Sequence, residues 1–345
     1  MMRLPYFSYH APQSVAEAAD TLASEGPQAM LLAGGTDLLP NMKRRQQVPT
    51  SVIGLREIAE LREIKNHSGI SLGAGLSLTE IVRAPAVKAA YTGLWQAASQ
   101  IATVHLRNMG TLGGNLCLDT RCSYYDQNYE WRKAIDFCMK KDGEICWVAT
   151  RSKRCLAISS TDTAPALIAL GAKVRLVSAT GTREVRVEDL YQDDGIDYLL
   201  RRPDEVLTKV LLEPSEGLRS TYWKLRRRGA FDFPVLSVGA AARLGDDGTV
   251  EHARLVLGAV ASEPRMCDDA CKFLLGKKLT NEAIEEAGRL AAKRGKPMDN
   301  ADFTVRWRKR VIASFVGYAL HELRGDDMSE TRLRVSRHDP SAMVV

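Results

Sequence analysis

The sequence predicts an α+β fold in two domains. Up to Leu212 short strands interleave with short helices, whereas the chain after Leu218 predicts three long strands followed by three helices. A block of strands followed by a block of helices is typical of α+β domains. Residues 213–217 are polar, contain Pro and Gly, and separate the two patterns. We therefore expect an N-terminal domain over 1–216 and a C-terminal domain over 217–345.

The elements of the N-terminal domain follow from local signals. Residues 5–26 predict a short strand and then a helix that Ser14 caps, because Val15, Ala18 and Leu22 fall on one helical face together with Ala19. The other predicted strands are 28–33, 52–55, 69–74, 173–178, 182–187 and 206–212. The other predicted helices are 77–83, 93–101 and a segment from about 162 to 170.

The C-terminal domain predicts strands at 220–227, 235–244 and 250–258, with an Asp-Asp-Gly turn between the last two. Helices are expected at 263–275, 281–294 and 303–323. In the last helix an apolar stripe that includes Trp307 and Phe315 is typical of core packing. The tail at 325–345 is polar and then weakly apolar. Its sequence does not distinguish a disordered tail from one that docks on a partner.

Composition excludes several classes of protein. The chain has 345 residues, 45% of them hydrophobic and 26% charged, which is ordinary for a globular protein. It contains no apolar run of about 18 residues, so no membrane span is expected. The first 13 residues lack the pattern of a secretory signal. The net charge is +6, but the compact basic runs at 43–45 and 226–228 have no interleaved aromatic residues, so nucleic-acid binding is not expected.

Two glycine-rich segments predict a diphosphate site. Residues 107–116 contain Gly110, Gly113 and Gly114, with Thr111 and Asn115 between or beside them. Glycine lets the backbone approach a ligand closely, and clustered N–H groups can form an anion-binding concavity. A similar segment, Ala-Gly-Gly-Thr-Asp, lies upstream within 31–40. Either segment alone is typical of a tight turn, and neither has the spacing of a Rossmann turn or a P-loop.

Together, 31–40 and 107–116 resemble the two FAD pyrophosphate segments of the flavoprotein subunits of molybdenum hydroxylases. That family includes the medium subunit of carbon monoxide dehydrogenase and the flavin domain of xanthine dehydrogenase. The resemblance extends over nearly the whole chain. It implies a two-subdomain FAD-binding domain of the vanillyl-alcohol-oxidase (PCMH) type, followed by a C-terminal α+β domain like that of the carbon monoxide dehydrogenase flavoprotein.

The resemblance also implies which residues contact FAD. Asp162 resembles the family position at the ribityl chain or flavin ring, although a carboxylate at a helix start is equally typical of a cap. Lys224 resembles the basic residue that reaches the flavin across the domain boundary, and Leu207 resembles a position near the isoalloxazine edge. The implied pyrophosphate contacts are Leu31, Leu32, Ala33, Gly34, Gly35, Thr36, Asp37, Gly110, Thr111, Gly113, Gly114 and Asn115.

The third feature is an irregular segment with four cysteines, Cys122, Cys138, Cys146 and Cys155. An odd total of seven cysteines without a secretion signal favours reduced thiols or metal ligands and a cytoplasmic protein. The spacing lacks the close pairs of structural zinc sites and the tight run of bacterial ferredoxins. On chemistry alone, zinc, an iron–sulfur cluster and four unbound thiols all stay open.

The family resemblance favours the cluster. Most flavoprotein subunits of the family pass almost directly from the second glycine segment to the Asp162 position, whereas here an insert over 117–156 separates them. A reductive branch of the family has such an insert, which holds a 4Fe–4S cluster. The basic residues of the insert either offset the charge of a cluster or face solvent. They are Lys133, Lys140, Lys141, Arg151, Lys153 and Arg154.

The implied role is electron transfer within a larger complex. A large subunit carrying molybdopterin, a small subunit carrying two 2Fe–2S clusters, and an assembly of two such trimers are implied by the family. The reductive branch further implies reduced ferredoxin as donor and removal of a ring hydroxyl group from an aromatic acyl-CoA. An ordinary hydroxylase subunit with zinc in the insert, and a non-catalytic scaffold, are the rival interpretations. Cys267 and Cys271 are expected to be buried thiols, and Cys117 is not assigned.

Overall fold

We analysed a computed structural model, which describes residues 3–336. The strands are β1 (Ser8–His10), β2 (Ala29–Leu32), β3 (Ser51–Gly54), β4 (Ile64–His67), β5 (Gly69–Gly73), β6 (Lys173–Ser178), β7 (Gly181–Arg186), β8 (Val206–Leu212), β9 (Leu218–Leu225), β10 (Leu236–Leu244), β11 (Val250–Gly258) and β12 (Arg265–Met266). The helices are α1 (Val15–Glu25), α2 (Leu38–Lys43), α3 (Leu78–Arg83), α4 (Pro85–Ala90), α5 (Thr92–Ser99), α6 (Val104–Arg107), α7 (Leu112–Leu116), α8 (Tyr129–Ala134), α9 (Thr163–Ala169), α10 (Asp268–Leu274), α11 (Asn281–Arg294), α12 (Val305–Arg324) and α13 (Ser329–Ser336).

The N-terminal domain contains two sheets. The first is a small parallel sheet in the order β1-β3-β2. Helix α1 begins where the Ser14 hydroxyl accepts a hydrogen bond from the Glu17 backbone N–H, and it buries Val15, Ala18 and Leu22 with Ala19, as the sequence predicts. The second is an antiparallel sheet in the order β4-β5-β8-β6-β7. Each subdomain therefore has its own sheet.

The C-terminal domain is a four-stranded antiparallel sheet in the order β12-β11-β10-β9, covered by α10, α11 and α12. Its core is apolar and includes Trp223, Leu255 and Phe315. Helix α12 is attached to the sheet by Arg308, whose buried guanidinium donates to the carbonyls of Val235 and Ala259. Strands followed by helices confirm the predicted α+β class.

The two domains meet where α5 and α9 pack against β9 and β10. Gly239 on β10 allows this approach, because a Cβ there would lie 2.3 Å from the carbonyl oxygen of Pro165. Tyr222 on β9 donates its backbone N–H to the Gln96 side chain at 2.7 Å. The boundary thus combines backbone contact with buried polar bonds, and it places β9 beside the segment that precedes α9.

Several predicted elements are confirmed with small changes of boundary, and β6, β8, β11 and α11 have the predicted bounds. The structure adds α2, β4, α4, α6, α7, α8 and β12, which are not predicted from the sequence. The helix predicted at 263–275 begins only at Asp268, because Arg265 and Met266 pair with β11. Part of the unassigned tail forms α13, and 337–345 lie outside the described residues. Within 3–336, no helix is long and apolar enough to cross a membrane.

Candidate functional site

A cleft of about 530 Å³ lies where the two glycine segments meet, and we call it the central cleft. The first glycine segment, 31–40, connects β2 to α2, and the second, 107–116, spans the end of α6 and all of α7. The loop between β9 and β10 adds Arg228, Phe231 and Phe233 to the wall. Both domains therefore contribute to one cavity, whose apolar lining includes Ile101 and Leu118.

The two glycine segments touch through their backbones. A Cβ on Gly34 would lie 1.9 Å from the Met109 carbonyl oxygen, so no larger residue fits there without moving a segment. Gly35 has a φ of +72°, a conformation that favours glycine. The result is a stretch of cleft wall without side chains, where a diphosphate can approach the backbone closely.

The second glycine segment is partly helical, which the sequence analysis did not predict. Thr111 is the N-cap of α7, and its hydroxyl accepts a hydrogen bond from the Gly114 backbone N–H at 3.0 Å. The oxygen of Asn115 accepts bonds from Thr161 and from both the hydroxyl and the N–H of Thr163. Asn115 therefore joins the second glycine segment to the start of α9 across the cysteine insert.

Most of the predicted FAD contacts lie on the cleft wall. The lining includes Leu31, Ala33, Gly34, Gly35, Thr36, Asp37, Gly110, Thr111, Gly114, Asn115 and Asp162. Four predicted contacts are not brought to the wall. Leu32 packs beside Leu38 and Met42, and Gly113 is held within α7 against Ala74. Leu207 is buried in the main core of the N-terminal domain, and Lys224 lies in the domain boundary.

Lys224 and Asp162 form a buried ion pair across the domain boundary. The Lys224 Nζ lies 2.9 Å from Asp162 Oδ1 and also donates to the Gln100 carbonyl oxygen. The Tyr222 hydroxyl donates to Asp162 at 2.6 Å. Burial raises the pKa of Asp162 and lowers the pKa of Lys224, while the attraction between them opposes both shifts. Asp162 occupies the N-cap position of α9, as predicted, but its side chain accepts no capping hydrogen bond and pairs instead with Tyr222 and Lys224.

The four predicted cysteine ligands are all buried, each 4–6% exposed. Three of them, Cys122, Cys138 and Cys155, share one side-chain cluster with Tyr125 and Ala157. Cys146 lies close enough to Cys155 that its thiol raises the pKa of Cys155. The structure thus gathers the four sulfurs, although they are up to 33 residues apart along the chain.

Burial dominates the thiol chemistry of this cluster. It raises the pKa of Cys122 to about 12 and the pKa of Cys155 to about 11. Within residues 3–336, no three His, Cys, Asp or Glu side chains stand close enough together to hold a single metal ion. Cys122, Cys138 and Cys155 of this cluster, together with the nearby Cys146, are nonetheless the four thiols that an iron–sulfur cluster requires as ligands.

Some basic side chains of the insert are buried in the protein. Lys140 has a side chain only 6% exposed, bonded to Asp119, Thr120 and the Gly195 carbonyl. Arg132 is fully buried; its guanidinium lies 3.6 Å from Asp142 and has no hydrogen-bond acceptor within residues 3–336. Lys133, Arg151 and Lys153 do face solvent, as the alternative interpretation predicts.

Arg121 connects the insert to the first glycine segment. Its guanidinium is ion-paired with Asp37, lies 3.3 Å from Asp126, and stacks on Phe233. Arg121 lines the central cleft and directly precedes Cys122. Neither Arg121 nor Arg132 is predicted from the sequence, because an arginine in an irregular segment carries no local signal that it will be buried.

Two family profiles match this chain. The family described as "FAD binding domain in molybdopterin dehydrogenase" matches residues 5–214. The family described as "CO dehydrogenase flavoprotein C-terminal domain" matches residues 220–323. Together they confirm the predicted two-part fold.

Individual relatives agree with these matches. The FAD-binding subunit of the aldehyde oxidoreductase of Escherichia coli is 33% identical over 75% of this chain and 82% of its own length. The carbon monoxide dehydrogenase medium chain of Hydrogenophaga pseudoflava is 28% identical over 92% of this chain and 96% of its own. A solved structure of carbon monoxide dehydrogenase from Hydrogenophaga pseudoflava superposes with a TM-score of 0.76, at 28% identity, over 93% of this chain and 98% of that one.

Proposed function

The chain belongs to the FAD-binding subunits of the molybdenum hydroxylase family, and from this premise we propose that the central cleft holds one FAD. Gly34, Gly35, Gly110 and Gly114 form the wall for its diphosphate, because there the backbone is free of side chains. Apolar residues such as Phe233 supply surfaces for its rings. FAD supplies the exchange of electrons singly or in pairs, and the protein holds and tunes it.

The chain itself positions the cofactor between two fixed groups. Asp162 reaches the cleft from α9 and is fixed by Tyr222 and Lys224 of the other domain. Arg121 and Asp37 fix the opposite wall. A cleft whose charged residues are already paired requires little rearrangement when a ligand enters, and this favours binding.

The cysteine insert is the second part of the proposal. Cys122, Cys138, Cys146 and Cys155 would hold a 4Fe–4S cluster that exchanges electrons with the flavin. One observation carries this proposal, namely that the buried sulfur cluster directly adjoins the cleft, since Arg121 lines the cleft and Cys122 follows it. Cations buried in the insert fit a group that carries net negative charge.

The reaction we propose is that of a 4-hydroxybenzoyl-CoA reductase. In this proposal the chain transfers electrons from reduced ferredoxin toward 2Fe–2S clusters and a molybdopterin site on other subunits, where 4-hydroxybenzoyl-CoA is reductively dehydroxylated to benzoyl-CoA. The partners would be a large molybdopterin subunit and a small 2Fe–2S subunit, assembled as a dimer of heterotrimers in the cytoplasm. In this proposal the iron–sulfur group beside the flavin is the point at which these electrons enter.

A second candidate is an ordinary hydroxylase subunit that sends electrons outward to NAD or a quinone, with zinc in the insert. The observation in its favour is that thiols are ligands for zinc and four of them are buried in the insert, although their sulfurs would have to move closer together to bind one ion. The two candidates differ in the metal that the insert contains and in the direction of electron flow.

Metal analysis of the anaerobically purified complex separates the candidates. We expect iron in excess of the 2Fe–2S content of the small subunit and an additional EPR signal after reduction. Serine substitution of Cys138 should remove that signal, whereas substitution of Cys267, a buried cysteine of the C-terminal domain, should preserve it. Zinc without additional iron contradicts the cluster. A protein that is colourless after gentle isolation contradicts the flavin.

A further inference from the structure

Between the central cleft and the sulfur cluster lies one buried ammonium group, that of Lys140. Its Nζ donates to Asp119 Oδ1 at 2.8 Å, to the Thr120 hydroxyl at 2.7 Å and to the Gly195 carbonyl oxygen at 2.7 Å. These three acceptors fix the position of the side chain.

On one side, the contacts of Lys140 lead to the cleft. Asp119 and Tyr198 both line the cavity, and the Lys140 ammonium lies 5.6 Å from the centre of the Tyr198 ring. The Tyr198 hydroxyl donates to the carbonyl of Cys117, another residue of the cleft wall. A single layer of residues therefore separates the ammonium group from the cavity.

On the other side, its contacts lead to the sulfurs. Gly195, which accepts from Lys140, packs so closely on Cys155 that a Cβ there would lie 2.7 Å from the Sγ atom. The ammonium also lies 4.9 Å from the centre of the Tyr125 ring, and Tyr125 shares the side-chain cluster of Cys122 and Cys155. Here too one residue stands between the charge and the candidate redox group.

We infer that Lys140 is a positioning residue that raises the reduction potentials of both the flavin and the group held by the cysteines. A fixed positive charge favours the reduced and more negative form of any neighbouring redox group, and its influence is large where water is excluded. The inference rests on the proposed function, since it requires FAD in the cleft. It goes beyond that function, because it assigns to one charged side chain an influence on the reduction potentials of both the flavin and the cysteine-held group.

Potentiometric titration of the holo-complex tests this inference through two variants with opposite expected shifts. Lys140→Met removes the positive charge and leaves Asp119 unneutralised, so the midpoint potentials of flavin and cluster should both fall. Asp119→Asn keeps the ammonium and removes its counter-charge, so both potentials should rise. Flavin is followed by visible absorbance and the cluster by EPR.

Two controls separate charge from packing. Lys140→Arg keeps the charge and should leave both potentials close to the wild-type values. Lys133→Met removes an exposed lysine from the same insert and should shift neither potential. A protein that merely needs a well-packed side chain at 140 would not give shifts of opposite sign in the variants at 140 and 119.

The inference is overturned if the potentials of Lys140→Met match the wild type while the flavin and iron contents are intact. If Lys140→Met does not fold, Lys140→Gln takes its place, and flavin and cluster potentials equal to the wild-type values contradict the inference. If the insert contains zinc, the proposed cluster fails, but the flavin potential of Lys140→Met still tests the role of Lys140. The two failures are therefore distinguishable.

Discussion

At the scale of single residues, Gly34 is the position where the cleft tolerates least change. A Cβ there would lie 1.9 Å from the Met109 carbonyl oxygen, and backbone cannot move aside as a side-chain end can. We expect Gly34→Ala to separate the two glycine segments and to weaken FAD binding at least about tenfold, which corresponds to about 1.4 kcal/mol of binding free energy, so that less FAD stays bound through purification. Absorbance of the purified variant at flavin wavelengths measures this.

A matched control uses a glycine with space around it. Gly317 lies within α12, where, among residues 3–336, an added Cβ would come within 4 Å of the Ile284 side chain alone, at 3.8 Å. Gly317→Ala should keep full FAD occupancy and increase stability by about 0.5–1 kcal/mol, because alanine favours helix. Equal FAD contents in the two variants would mean that the close approach of the segments is not needed for binding.

The buried ion pair of Asp162 and Lys224 should contribute to the stability of the protein. Asp162→Ala leaves the fully buried Lys224 ammonium without its counter-ion, which should destabilise the protein by about 3–5 kcal/mol. Adding Lys224→Met removes the isolated charge, so the double variant should recover much of the loss. Urea denaturation of the FAD-free proteins measures both values. A double variant less stable than Asp162→Ala alone would contradict the argument.

The same pair shows which residue roles can be predicted from the sequence and which cannot. The hydroxyl of Thr111 stands beside glycines in the sequence, and this local pattern predicts a residue of the binding site. Thr111 lines the cleft and caps α7. Lys224 meets Asp162 across 62 positions and a domain boundary, so no local pattern reveals that its charge is neutralised there. Leu207 is likewise a buried strand residue, and its side of the sheet is fixed by pairing with β6.

At the scale of elements, the attachment of α12 depends on Arg308. Its guanidinium is fully buried and donates to three carbonyls, those of Val235, Ala259 and Met298. Arg308→Met leaves these carbonyls without that donor, and each unsatisfied buried group costs about 1–3 kcal/mol. We expect a loss of about 3 kcal/mol or more in the free energy of unfolding, measured by urea denaturation.

A second arginine of α12 provides a control variant for Arg308→Met. Arg306 is exposed, two positions before Arg308, so Arg306→Met changes residue type and helix in the same way without touching the sheet. Its stability should stay within about 0.5 kcal/mol of the wild type. Similar losses in both variants would place the effect in the helix itself rather than in its attachment.

Elements with strong periodicity and clear turn residues are those the sequence predicts well. The three long strands after residue 217 and helix α11 have this character, and the structure confirms them. Short elements such as α6, with four residues, and β12, with two, are not predicted because so few residues cannot show a hydrophobic periodicity. The helix predicted from residue 263 starts late for a non-local reason, since Arg265 and Met266 find a partner strand in β11.

At the scale of the whole molecule, the insert and the cleft form one structural unit. Arg121 ties the start of the insert to Asp37 of the first glycine segment, and Lys140 ties its middle to Asp119 on the cleft wall. The sequence indicates an insert of irregular composition, but it does not reveal that the insert is built onto the cleft. That arrangement depends on buried ion pairs between residues far apart in the chain.

Removal of FAD should therefore loosen the insert as well as the glycine segments. When the cleft wall loses its ligand, Asp119 and Arg121 lose the packing that fixes their partners, so the hydrogen bonds of the insert should open more often. Hydrogen–deuterium exchange of the FAD-free and FAD-loaded protein should show faster uptake over residues 107–142 without the cofactor. Helix α11, on the far side of the C-terminal sheet, should exchange equally in both. Faster exchange confined to the glycine segments, with the insert unchanged, would show that the two parts respond independently.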